Sequence, residues 1–292
     1  MNSSIRSKQI IIIGAILLLV AFLFTRDIKG LVKPTEENGK MPASGQMAEA
    51  QQPASSASIS IETASTAAKN IINKNLAADI TVLEGSFKNA DAAEKIVFAK
   101  QLAQKWDDVE QITPSALYLE VVAQGEPTAT NWLASGNRFL KAFESTQDSV
   151  AQPVLLQKAN TSFKNALEKD PSNIEAKTGL GVTIVNGLGA PMQGIAMLLE
   201  VVAKEPKNVK ANMNLGMFSI KSGQFDKAIP RFNTVIETKP SPEAYFYLGT
   251  ALESLDRNKE AVDAYLKSKK LAANPTLSSF IDKKVAELKN KN

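Results

Sequence analysis

The 292-residue sequence contains no cysteine and no histidine. Without cysteine the chain can form no disulfide, no thiolate zinc site and no cysteine nucleophile. Without histidine it lacks the commonest general base and the commonest protein ligand for metals. These absences argue against an enzyme, and we predict no catalytic residue, no cofactor and no metal ligand.

Two short patterns resemble binding motifs but lack the parts that such sites need. The Gly-Leu-Gly sequence at 179–181 has Ile184 where a dinucleotide-binding loop requires its third glycine, and it lies within a helical pattern. The carboxylates at 107–110 have no partner ligand that would complete a metal site. We interpret the first as a helix-packing feature and the second as too incomplete to bind a metal.

Aromatic residues are also scarce, at 6%, whereas hydrophobic residues make up 44% of the chain. Together with frequent alanine and leucine, this composition favours helices. The net charge is only +4, and the positive excess is densest near the C-terminus. We interpret those lysines as a solvated helix surface and predict no nucleic-acid partner, with contact to anionic lipid headgroups as the alternative.

An uncharged run of fifteen residues, Ile10 to Phe24, is the longest apolar stretch. As a helix it spans roughly 25 Å, slightly less than a ~30 Å hydrocarbon core. Thr25, Arg26 and Asp27 follow it and make a poor signal-peptidase site, so we favour an uncleaved transmembrane signal anchor over a cleaved signal peptide. Flanking positive charges are nearly balanced, and we expect a cytoplasmic N-terminus and an exported body.

Four recurring positions mark the second half of the chain at a period of about 34 residues. Each copy has a small residue in its first helical segment, then a small and a large residue in the second, then a proline that stops the helix. In that order the residues are Gly136, Ala159, Phe163 and Pro171; Gly181, Gly194, Leu198 and Pro206; Gly216, Ala228, Phe232 and Pro240; and Gly249, Ala261 and Tyr265 before Pro275.

The small residues should let paired helices approach closely, and the large ones should fill the space between successive pairs. This pattern resembles the tetratricopeptide repeat family. The resemblance implies an all-α fold, a right-handed α-solenoid of helix-turn-helix repeats, here with an N-terminal transmembrane helix. One departure is an insertion of about eleven residues around 145–153, within the first clear repeat.

The resulting domain prediction has six parts. A weaker repeat precedes the four clear ones, with Trp106 in its first helix and Pro114 near the start of its second. Residues 62–84 also read as helical and would cap the array, with an apolar stripe of Ile71, Ile72, Leu76, Ile80 and Leu83. The parts are an N-terminal tail (1–8), a transmembrane signal anchor (9–25), a flexible linker (26–60), a helical region with a degenerate repeat (61–127), four repeats (128–275) and a capping helix (276–292).

The capping helix should bury one apolar stripe and expose lysines on its outer face. We assign Leu277, Phe280, Ile281, Val285 and Leu288 to that stripe.

In tetratricopeptide proteins the concave groove is lined by first-helix residues that do not pack on the second helix. The resemblance therefore implies a largely apolar groove for a protein or an amphipathic peptide. Asn137 occupies one position of the family's carboxylate clamp, but Leu133, Thr178 and Met213 supply no charge, so we do not predict carboxylate capture. The predicted groove residues are Leu133, Asn137, Leu140, Lys141, Val182, Val185, Met213, Met217, Ile220, Phe246, Tyr247 and Thr250.

These features predict a membrane-tethered scaffold or adaptor that binds a partner protein. The expected location is a bacterial inner membrane, crossed once, with the body in the periplasm. There the resemblance implies roles such as the assembly of envelope or respiratory complexes. The alternative is a structural subunit that self-associates as a homo-oligomer, or joins a permanent complex, without a free peptide groove.

Overall fold

The computed structural model describes residues 59–188 and 191–290. Over these residues the chain forms thirteen α-helices and no strand, in agreement with the predicted all-helical fold. The helices are α1 (Ile61–Lys69), α2 (Lys74–Asn89), α3 (Ala92–Asp108), α4 (Ile112–Gly125), α5 (Ala129–Ser145), α6 (Ala151–Lys169), α7 (Ile174–Val185), α8 (Pro191–Lys204), α9 (Val209–Lys221), α10 (Phe225–Thr238), α11 (Pro242–Glu253), α12 (Asn258–Leu271) and α13 (Pro275–Asn290).

Local sequence fixes where the first helix of each repeat begins. Thr128, Asn173, Asn208 and Ser241 each accept a hydrogen bond from a backbone N–H in the first turn of α5, α7, α9 and α11. Such polar N-caps satisfy donors that have no partner inside the helix. Because a proline precedes the last three caps by one or two residues, each preceding helix ends and the next one starts within a short turn.

The helices pack in consecutive pairs, α3 with α4, α5 with α6, α7 with α8, α9 with α10 and α11 with α12. The second helix of each pair then packs against the first helix of the next pair. The first helices also contact one another, α5 with α7, α7 with α9 and α9 with α11. This arrangement is an array of stacked helical hairpins in which the first helices share one face.

The recurring glycines lie where paired helices approach most closely. A Cβ atom built on Gly136 would lie 2.8 Å from the ring of Phe163, and one on Gly216 would lie 2.7 Å from the ring of Phe232. The same contact joins Gly249 and Tyr265, at 2.8 Å. Any side chain larger than hydrogen would force these helices apart, which is the packing role that the repeat pattern predicts.

The segment at 62–84 is helical, as predicted, and belongs to two helices, α1 and α2. It breaks at residues 70–73, where Asn73 caps the start of α2. Ile71 therefore lies in a turn with 74% of its surface exposed, and Leu76 is exposed as well, so neither belongs to a buried stripe. An asparagine on each side of the turn explains the break, because this side chain caps helices better than it continues them.

The insertion around 145–153 forms only a short connection, residues 146–150. The remaining extra residues lengthen α5 and α6, which are 17 and 19 residues long. The first clear repeat is consequently taller than those that follow it.

The predicted N-terminal tail, the transmembrane anchor at 9–25 and the linker up to residue 58 lie outside the described residues. Ile59 and Ser60 are described, and Ser60 caps α1. Among the helices of the described part of the chain, none combines the length and the apolar character needed to cross a membrane.

Candidate partner-binding groove

The predicted groove residues lie on the first helices of the four repeats, α5, α7, α9 and α11, and their exposure differs. Leu140 and Val182 are each only 1% exposed and belong to the main hydrophobic core, so they present no surface to a partner. Leu133 and Val185 pack against the same core and remain partly exposed. The accessible part of the face is therefore narrower than the repeat pattern implies.

A polar network crosses this face between three successive repeats. The side-chain amide of Asn137 on α5 donates to Glu175 Oε1 on α7 at 2.8 Å. Lys210 Nζ on α9 donates to Asn137 Oδ1 at 3.3 Å. The same ammonium lies 5.8 Å from the ring centroid of Phe163, within range of a cation–π contact. Asn137 thus joins an anion on one side to a cation on the other.

Lys210 is a functional candidate that the sequence analysis missed. Burial lowers the pKa of its ammonium, and the nearby carboxylates of Glu144 and Glu175 act in the opposite direction. Because the ammonium already faces two carboxylates and an amide oxygen, it is poorly placed to attract a free anionic ligand. The prediction against carboxylate capture took no account of Lys210 and stays a prediction.

The second half of the face is apolar. Met213, Met217 and Ile220 of α9 and Tyr247 of α11 pack around the buried cluster of Ala228, Phe232 and Ala251 and stay partly exposed. We call the surface formed by Met213, Met217, Ile220, Phe246, Tyr247 and Phe280 the methionine–aromatic patch.

Aromatic rings extend this patch from α11 to the last helix. The ring of Phe246 lies 5.8 Å from that of Tyr247 and 5.9 Å from that of Phe280 on α13. Phe280 is 47% exposed, whereas the sequence analysis assigned it to the buried stripe of the capping helix. That assignment is wrong for Phe280 because the ring packs sideways on Phe246 at the end of the array. Ile281, Val285 and Leu288 are the buried residues of α13.

Charges beside the patch are also paired. Glu253 accepts hydrogen bonds from Tyr265 at 2.7 Å and from Lys284 at 2.8 Å. Burial and this carboxylate together raise the pKa of the Tyr265 hydroxyl, which stays protonated in the physiological range. Thr250, a predicted groove residue, lies 3.4 Å from the same hydroxyl. The patch therefore lies between two networks in which opposite charges face each other, and its own surface is apolar.

Helix pairs stacked in this way define a helical-repeat protein, and comparison with known families identifies the repeat. Residues 220–276 match the model of the tetratricopeptide repeat family. This segment includes α10, α11 and α12 and confirms the resemblance predicted from the sequence. Repeats of this kind are typical of scaffolds for protein–protein interaction.

Several solved structures are also similar to this chain. YrrB, described as a tetratricopeptide protein with an unusual peptide-binding site, is 18% identical, with a TM-score of 0.43 over 68% of this chain and 96% of its own. MamA from Desulfovibrio magneticus RS-1 is 19% identical, with a TM-score of 0.46 over 61% of this chain and 94% of its own. No curated protein sequence matches the chain.

Proposed function

We propose that the protein is a membrane-tethered scaffold that binds a partner protein through the methionine–aromatic patch. The observation that carries this proposal is the run of large, partly exposed apolar side chains across α9, α11 and α13. Methionine adapts its shape to a partner, and aromatic rings contribute much of the energy of protein interfaces. An amphipathic helix that lays its apolar face on the patch fits this surface, because the flanking charges are already paired.

A pull-down from solubilised native membranes tests the patch. Met213→Glu/Met217→Glu places two charges on it and should abolish retention of the specific partner, since burying an unpaired carboxylate at an interface is costly. Met192→Glu/Leu199→Glu is a matched control, because it makes similar changes at two exposed apolar residues of α8 outside the patch. Circular dichroism should first show that both variants fold like the wild type.

The outcome discriminates between the two functions considered for this chain. Loss of the same proteins from both double variants, or from neither, would rule out the patch as the working surface. If instead the apparent mass by light scattering rises with concentration, and the patch variant alone remains monomeric, the occupant is a second copy of the chain.

We further propose that the apolar run at 9–25 anchors the chain in a bacterial inner membrane, with the repeats in the periplasm, where they serve the assembly of envelope or respiratory complexes. The length of the run and the absence of a cleavage site after it support the anchor. Protease added to spheroplasts should digest the repeats while the cells stay intact. Digestion only after lysis would place the repeats in the cytoplasm.

A further inference from the structure

The outer surface of α8 carries a stripe of four exposed apolar residues, Met192, Ala196, Leu199 and Ala203. Met192 is 69% exposed and Leu199 is 44% exposed, which is high for side chains of this size. Residues spaced three or four positions apart lie on the same face of a helix, so the four side chains form one continuous line. The line is about 17 Å long at 1.5 Å per residue. We call it the α8 stripe.

The other repeats are polar at the same positions. The recurring small residue of the second helix aligns them, since Gly194 of α8 corresponds to Ala159, Ala228 and Ala261. Each stripe position therefore has three counterparts, all of them exposed, and ten of these twelve residues are polar or charged. The counterparts are Gln157, Thr161, Lys164 and Glu168 on α6, Asp226, Pro230, Asn233 and Glu237 on α10, and Lys259, Asp263, Leu266 and Lys270 on α12. The fold does not require an apolar surface here, and α8 departs from the other repeats at all four positions.

No other helix of the part of the chain that the structure describes covers the α8 stripe. The helix packs against α7 and α9, and its buried residues are Gly194, Ile195, Leu198 and Val201, none of which belongs to the stripe. Successive second helices do not pack on one another as the first helices do, so α6 and α10 leave the stripe open to solvent. Exposed apolar surface that is rimmed by polar residues is typical of interaction sites.

The order of side-chain sizes along the stripe fits a second copy of the same stripe. Large and small residues alternate from Met192 to Ala203. When two such helices run antiparallel about a twofold axis midway between Ala196 and Leu199, Met192 of each copy meets Ala203 of the other, and Leu199 meets Ala196. Every large side chain then lies beside a small one, as closely packed helices require. A parallel pair would instead place methionine on methionine and leave gaps between the alanines.

The charges beside the stripe are compatible with this antiparallel pairing. Glu200, the charged residue nearest to the middle of the stripe, already forms an ion pair with Lys177 of α7. In the antiparallel pair it comes level with the uncharged Gln193 of the second copy, so like charges do not face each other. The stripe itself has no polar side chain, and its burial leaves none without a hydrogen-bond partner.

We propose that α8 pairs antiparallel with α8 of a second copy of this chain through the α8 stripe. A contact along one helix of this length is smaller than the standard interface of about 800 Å² per partner, so the pair is weak in free solution. Copies held on one membrane surface meet at a much higher effective concentration, which favours the pair there. That location rests on the membrane anchor proposed above, whereas the pairing surface does not. The methionine–aromatic patch lies on other helices and stays free in the dimer.

Because the chain contains no cysteine, introduced cysteines report this geometry directly. Full-length Met192→Cys and Ala203→Cys, carrying different tags, are co-expressed and oxidised in native membranes. A disulfide between the two tagged chains should form, since the antiparallel pair brings these positions together. Either variant expressed alone should give at least tenfold less, because its two cysteines lie at opposite ends of the paired stripes. Adding Leu199→Glu to both chains should reduce the mixed disulfide at least tenfold, since it buries an unpaired carboxylate.

Asp226→Cys with Glu237→Cys is the matched control, because these residues occupy the same positions on α10. This pair should give no more cross-linking than its single variants. Equal cross-linking of the Met192→Cys and Ala203→Cys mixture and of either variant alone would overturn the antiparallel pairing. Absence of the mixed disulfide would overturn pairing through α8 altogether.

The pull-down described above separates this proposal from the function of the patch. Under the pairing, Met192→Glu/Leu199→Glu loses only the second copy of the chain, and the patch variant retains that copy. A different protein lost only from Met192→Glu/Leu199→Glu would assign the α8 stripe to that protein and would overturn the proposal. Neither result depends on the occupant of the methionine–aromatic patch, so the two proposals can fail separately.

Discussion

Gly179→Ala tests how tightly successive repeats are locked together. A Cβ at Gly179 on α7 would lie 2.3 Å from Cζ of Phe163 on α6. The ring cannot simply move away, because Phe163 is fully buried. A Cβ built on Gly136 of α5 would also lie only 2.8 Å from the same ring. Phe163 is thus held between the first helices of two neighbouring repeats.

Two opposing effects set the size of the change. Alanine gains about 1 kcal/mol over glycine in helix propensity. Overpacking a core typically costs about 1–3 kcal/mol, and a contact this short on a ring held from both sides belongs at the upper end of that range. We therefore expect a net loss of about 2 kcal/mol, which lowers the melting temperature by about 4–8 °C in a domain of this size.

Thermal and urea unfolding followed by circular dichroism measure this change directly. Gly85→Ala is the matched control, because there the added methyl group meets open space and should stabilise the protein by about 1 kcal/mol. Phe163→Leu in the Gly179→Ala background should recover part of the loss, with a coupling of about 1 kcal/mol between the two sites. If Gly179→Ala is as stable as the wild type, the ring is free to move and the proposed lock does not exist.

Two polar contacts between helices give further predictions. The side-chain amide of Asn160 donates to the Thr183 hydroxyl at 2.8 Å in the core. Thr183→Val removes this acceptor and should lower the free energy of unfolding, measured with urea, by about 1–3 kcal/mol. An unchanged midpoint would mean that the amide finds another partner. Glu84 of α2 accepts hydrogen bonds from Ser65 at 2.6 Å and Lys69 at 2.7 Å, both on α1. Glu84→Ala should release α1, because a nine-residue helix is not stable alone, and trypsin should then cut at Lys69 or Lys74 at least tenfold faster. An unchanged cleavage rate would show that apolar contacts alone hold α1.

The repeat pattern predicts the contacts that form within one helical hairpin. Gly216 and Phe232 are only sixteen residues apart, and a small residue opposite a large one already indicates how the two helices meet. The turn at 70–73 could also have been predicted, because Asn70 and Asn73 are typical helix-ending and helix-starting residues. The sequence analysis gave more weight to the apolar stripe than to these two asparagines. The exposure of Ile71 shows that this weighting was wrong.

The polar network and the patch depend on distances that a repeat period does not contain. Asn137 meets Glu175 and Lys210 across 38 and 73 residues, and that meeting depends on the rotation between successive repeats. Phe280 faces Phe246 because of how α13 sits on the last repeat, which cannot be inferred from its own apolar spacing. The open space beside Gly85 cannot be predicted from the sequence either, because a glycine that packs against another helix and one that faces open space are the same residue type.

The hydrogen bond between Lys210 and Asn137 joins the first clear repeat to the third and passes over the one between them. Most contacts in the array link neighbouring helices, so an extension of the array along its axis would change each of these contact distances only slightly. A bond that skips a repeat experiences the sum of two such changes and would break at an early stage of the extension. It therefore couples the first and third clear repeats directly, in addition to the contacts between neighbouring repeats.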